Sequence, residues 1–110
     1  MLPNPVPPIR ALLDDATELK ALPREPVAGV VTSPPYAATY DYLAHHELRL
    51  RWLNLDAGPL ARGEIGSRSA YAKKKPTDAA AAWGAELERA FRAAARVLPP
   101  NGPLALVMAD

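Results

Sequence analysis

The chain has 110 residues, 49% of them hydrophobic and 23% charged, with a net charge of +1 and no cysteine. That balance suits one soluble globular domain and argues against a solvated disordered chain. Uncharged stretches such as 79–85 and 98–109 fall far short of the roughly 20 apolar residues needed to span a bilayer, and no basic segment leads into an apolar one at the start, so neither membrane insertion nor secretion is expected. Without cysteine, any metal site needs His, Asp or Glu, and a reducing cytoplasm is the expected compartment. A near-neutral charge gives no global basic field to attract nucleic acid, which leaves that role to local patches.

Thirteen prolines are present, and four of them lie in the first eight residues, MLPNPVPP. Proline fixes φ and biases its predecessor away from the helical region, so residues 1–8 are expected to be a flexible, polyproline-like leader before a domain over 9–110. Ile9, Leu12, Leu13, Ala16 and Leu19 have a spacing that fits either a short helix or a strand and turn followed by one helical turn. VAGVVT, residues 27–32, is rich in β-branched side chains and predicts a strand buried on both faces, ended by Pro34 and Pro35.

A helix is predicted over about 39–53, with Leu43, Leu50 and Leu53 as its apolar stripe, Leu48 and Trp52 widening it, and Glu47 and Arg51 as a surface pair. Residues 54–76 hold Gly58, Pro59, Gly63, Gly66 and Pro76 without a clear period and read as a long loop, of the kind that tends to be functional or mobile. A second helix follows, with Thr77 as N-cap, Asp78 in its first turn, and Trp83, Leu87, Phe91, Ala94 and Leu98 on one face. The turn Pro99-Pro100-Asn101-Gly102 leads to a second buried strand over 104–109. Strand, helical crossover and strand make an α/β fold with a parallel sheet.

Thr32, Ser33, Pro34, Pro35 and Tyr36 stand directly after the first strand, at the carboxyl end where ligands bind in open α/β sheets. Two successive prolines stiffen the loop, and a stiff loop holds a hydroxyl, a carbonyl and an aromatic face in fixed relation. VVTSPPY followed by TYDYLAHHELRLRWLNLD resembles the catalytic motif and following helix of S-adenosylmethionine-dependent amino methyltransferases that act on DNA bases. Their signature is Asp, Asn or Ser followed by Pro-Pro and an aromatic, and Ser33, Pro34, Pro35 and Tyr36 match it in order. ARVLPPNGPLALVMAD is similar to the family's next helix, turn and strand. The resemblance implies a partial Rossmann-like methyltransferase domain.

It also implies a chemistry. The exocyclic amine of cytosine or adenine has a lone pair delocalised into the ring, and a duplex hides it until the base is flipped out. Ser33 Oγ and the Pro34 carbonyl would accept the amino hydrogens and localise that lone pair, while Tyr36 would stack on the base. Serine at the first position goes more often with N4 of cytosine than with N6 of adenine in the family. The family also holds its cofactor on a glycine-rich strand-to-helix turn, and no Gly-x-Gly occurs here. In permuted members a Gly-Asp-Ala-like element precedes the catalytic motif; Asp15 and Ala16 correspond to it, with Asp14 in the glycine position. On that reading Asp15 contacts S-adenosylmethionine and the glycine-rich turn is expected beyond Asp110, in a missing C-terminal half or a complementary chain.

Tyr40 is a candidate for lining the base pocket. Lys73, Lys74 and Lys75, with Arg62 and Arg68 in the same loop, form a local basic patch suited to phosphates. Asp41 and His45 stand four apart on one helical face, but a third ligand is missing and no metal site is expected. Three functions follow: methylation of a DNA base amine, the same amine chemistry directed at RNA, or a truncated or degenerate relative that acts at most as a binding module. Oligomeric state and recognition sequence leave no trace in the chain.

Overall fold

The structure, a computed structural model, describes residues 8–108; most of the proline-rich leader and the last residue of the predicted second strand lie outside it. The architecture is mixed α/β. Strand β1 (Val30–Thr32) is followed by helices α1 (Tyr42–Trp52), α2 (Gly58–Gly63), α3 (Arg68–Tyr71) and α4 (Pro76–Val97), then by strand β2 (Leu104–Leu106). The two strands pair in parallel, with Val30 opposite Leu104, Val31 opposite Ala105 and Thr32 opposite Leu106. Bonds from Val30 N to the Pro103 carbonyl (3.0 Å) and from Val107 N to the Thr32 carbonyl (2.9 Å) extend the ladder at both ends.

Both strands are shorter than the expected 27–32 and 104–109. Val27 N turns instead to the Val97 carbonyl at the end of α4 (3.4 Å), so the ladder starts late. It ends early because Pro34 and Pro35 have no N–H to donate. Burial on both faces does not hold either. Val31 is 77% exposed, while Val30 and Thr32 are half-buried, and every residue of β2 is exposed.

The core is the stripe of α4. Leu87, Ala93, Ala94 and Val97 are buried along it, joined by Leu98 and Tyr71, while Trp83 and Phe91 are half-buried. Arg96 clamps the segment before β1, with Nη2 donating to the Glu18 and Leu19 carbonyls (2.8 and 2.7 Å) and Nη1 to the Leu22 carbonyl (3.2 Å). The helix starts two residues earlier than a Thr77 cap predicts. Pro76 opens it and Lys75 is the cap, because a proline there has its φ preset and lacks an N–H that would go unsatisfied.

Helix α1 has no buried residue, and Trp52 is 87% exposed. Its apolar stripe was expected to pack, yet the helix is tied down at its start. The predicted Glu47–Arg51 pair forms at 3.1 Å. The long loop expected over 54–76 contains two short helices instead. Pro59 stands in the first turn of α2, and Ser67 caps α3 by accepting from Ala70 N. No helix among the described residues is long and apolar enough to cross a membrane.

Candidate functional site

The segment Ser33-Pro34-Pro35-Tyr36 leaves the carboxyl end of β1. Ser33 is exposed, Pro34 is buried, and Pro35 and Tyr36 are half-buried. Two features of α4 fix this segment. Trp83 Nε1 donates to the Pro35 carbonyl at 2.9 Å, as a part-buried indole N–H requires. Glu86 Oε2 accepts from Gly66 N (3.0 Å) and from the Tyr71 hydroxyl (2.7 Å), which holds Gly66 under the motif. Gly66 has φ +75°, and a Cβ there would lie 2.7 Å from the Tyr36 carbonyl oxygen. The Gly66 carbonyl in turn accepts from Ala38 N at 3.0 Å. Loss of solvent, then the bond to Glu86, pushes the Tyr71 hydroxyl up to about 12.

Among the described residues none hydrogen-bonds the Ser33 hydroxyl or the Pro34 carbonyl. Both acceptors are therefore unclaimed. The motif opens on two hollows. Ser33, Pro34 and Pro35 line one of about 370 Å³, opposite Ala16 and Leu19 and walled by Phe91 of α4. Tyr36 lines the other, of about 490 Å³, together with Tyr40, Tyr42, His45 and Arg49.

Asp15 lies in a turn of its own making. Its Oδ1 accepts from Thr17 N and Thr17 Oγ1, both at 2.7 Å, and its carbonyl accepts from Leu19 N at 2.8 Å. The bonds from Thr17, aided by Arg89 and Lys20, hold this carboxyl below its ordinary value. Ala16 of this turn lines the same hollow as Ser33 to Pro35, so two separate segments meet around one cavity.

Tyr40 stacks on His45, with ring centroids 4.1 Å apart and planes 12° from parallel. Asp41 accepts from Ser67 Oγ (2.9 Å) and Ser69 N (2.8 Å), and these bonds lower its pKa, the backbone one most. Asp41 thus serves as a structural anchor, and no group of three metal-ligating side chains exists among the described residues. Lys73, Lys74 and Lys75 are exposed and line neither hollow. Trp83, Glu86, Gly66 and Ser67 position the site although the sequence reading assigned them no part in it; a tryptophan in an alanine-rich helix, with a glutamate three residues on, was the available signal.

No family model matches the chain, and neither a curated protein nor a solved structure matches it.

Proposed function

We propose that this chain carries the amine-binding part of a Rossmann-like, S-adenosylmethionine-dependent methyltransferase acting on an exocyclic amine of a DNA base, N4 of cytosine in preference to N6 of adenine. One observation carries the reading: a Ser-Pro-Pro-Tyr segment leaves the carboxyl end of a parallel strand with its serine hydroxyl and first prolyl carbonyl unclaimed, while its second prolyl carbonyl is locked by Trp83. The lock makes the open acceptors rigid without consuming them, which is what preorganisation needs.

The residues fit part of a cofactor site. Ala16, next to Asp15, shares a hollow with Ser33 to Pro35, and that hollow is largely apolar. Asp15 does not itself line that hollow and its Oδ1 is taken by Thr17, so its part in holding the cofactor rests on the family resemblance alone. When bound, S-adenosylmethionine supplies an electrophilic methyl group. Ser33 Oγ and the Pro34 carbonyl accept the two amino hydrogens, which draws the nitrogen lone pair out of the ring, and Tyr36 covers the face of the base.

A second reading has an observation of its own, the absence of any Gly-x-Gly turn. It makes the chain an inactive relative that acts by contact. Calorimetric titration with S-adenosylmethionine, followed by a methyl-transfer assay on cytosine- and adenine-containing DNA and RNA strands, separates the readings. Measurable affinity and transfer to cytosine in DNA support the first; transfer to RNA alone moves the substrate; no affinity and no transfer leave the second.

A further inference from the structure

We infer that the hollow beside Tyr36 is a track for single-stranded nucleic acid, in which bases outside the reacting one stack on Tyr40 and His45 while a backbone phosphate lies on Arg49. This rests on the reading of the chain as nucleic-acid-directed and specifies the form of polymer it takes.

The hollow holds about 490 Å³ and no carboxylate lines it. Its rings form an open stack. Tyr40 and His45 are nearly parallel, Tyr42 tilts against Tyr40 at 5.0 Å, and Tyr40 and Tyr42 remain 43% and 38% exposed. Aromatic rings packed for stability are buried; a stack left open continues into whatever planar group arrives.

The platform is also fixed in place. The Tyr40 carbonyl accepts from Arg68 N at 3.1 Å, Asp41 is held by Ser67 and Ser69, and Tyr42 N donates to Glu64. Three successive residues are thus tied to one neighbouring segment, so little ordering remains to be lost on binding. Arg49 Nη1 meets His46 Nδ1 at 3.2 Å, which steers the guanidinium without neutralising it. A cationic hollow floored by open rings complements a polyanion with free base faces. In a duplex those faces are stacked on one another, so only an unpaired strand can present them.

The test uses a fluorescent oligothymidylate of about 12 nucleotides, a length such grooves span, and reads anisotropy without S-adenosylmethionine. Thymine has no exocyclic amine, so binding here is independent of methyl transfer. Binding is expected, and a duplex of the same length should compete at least about tenfold more weakly. Tyr40→Ala should weaken the complex about 5- to 150-fold, the value of one stacked base, and Tyr40→Phe should restore it. Arg49→Gln, at an exposed position, should reduce the slope of log affinity against log salt by about 0.7. Circular dichroism checks that each variant folds, and Arg49→Gln carries the test if Tyr40→Ala does not. No binding of oligothymidylate, equal binding of duplex, or a salt slope unmoved by Arg49→Gln overturns the track. Oligothymidylate binding without methylation of any amine overturns the proposed activity and leaves the track standing.

Discussion

Trp83 reaches across 48 positions of sequence to donate its indole N–H to the Pro35 carbonyl at 2.9 Å. The bond joins the largest side chain of the main helix to the middle of the Ser-Pro-Pro-Tyr segment. Trp83→Phe keeps most of the ring and deletes the donor, leaving a part-buried carbonyl without it. A loss of about 1 kcal/mol is expected, read as a lower urea midpoint at unchanged slope. An unchanged midpoint would show that water replaces the indole at no cost.

Gly66 and Gly84 make a matched pair. At Gly66 a methyl group meets the Tyr36 carbonyl oxygen at 2.7 Å on a backbone with φ +75°; at Gly84, inside α4, nothing lies within 4 Å. Gly66→Ala should therefore destabilise by about 1 to 3 kcal/mol. Gly84→Ala should stabilise by about 0.5 to 1 kcal/mol through helix propensity. Thermal melts of the two variants should move in opposite directions, and a shared direction would contradict the geometry at one of the sites.

What the sequence disclosed and what it hid divide along the range of the forces involved. The exit of β1 into Ser33-Pro34-Pro35-Tyr36 was legible because β-branched residues and prolines act on their own backbone. The face of α4 was legible because its apolar period is long and regular. The start of β1 was not, since Val27 N finds its partner on Val97, seventy residues away. Helices α2 and α3 were hidden because Gly58, Pro59 and Gly63 read as punctuation, although a proline can also start a helix. The stripe on α1 was overread: periodicity specifies a face but supplies no surface to bury it against. The hold of Trp83 and Glu86 on the motif depends on tertiary pairing, and a tryptophan with a glutamate three residues on does not say which distant backbone groups they will meet.

Tyr71 gives the alkaline limb of stability. Its hydroxyl ordinarily titrates near 10.0 and is pushed up to about 12, by desolvation first and the bond to Glu86 second. A raised acid contributes stability that is fully present below the unfolded value and lost as pH rises through the folded one. Stability should therefore fall between about pH 10 and pH 12. Tyr71→Phe should flatten that fall, and the difference in phenolate absorbance between the two proteins should have its midpoint near the upper end of the window.

Asp41 and Asp15 give the acid limb. Both carboxyls titrate below their ordinary value of 3.8, Asp41 chiefly through Ser69 N and Asp15 chiefly through Thr17. A lowered acid stabilises the fold above its unfolded pKa, and that contribution disappears as pH falls through the folded value. Asp41→Asn should lower stability at neutral pH and shrink the decline seen on acidification below about pH 4. Because Asp41 sits between Tyr40 and Tyr42, the same variant should loosen the Tyr40–His45 stack, visible as a shift of the ring proton resonances.

Ser33 separates fold from function most cleanly. It is exposed and hydrogen-bonds no described residue, so Ser33→Ala should leave the unfolding free energy within about 0.5 kcal/mol of its original value. If its hydroxyl accepts an amino hydrogen as the methyl group is transferred, that single substitution should reduce the transfer rate by about a hundredfold, the order seen when one preorganised polar group is removed from a reacting centre. The loss should fall on the rate of transfer and leave oligothymidylate affinity unchanged, because thymine offers no amine to the missing oxygen. Full activity in Ser33→Ala would remove Ser33 from the chemistry and, with it, the main ground for preferring cytosine.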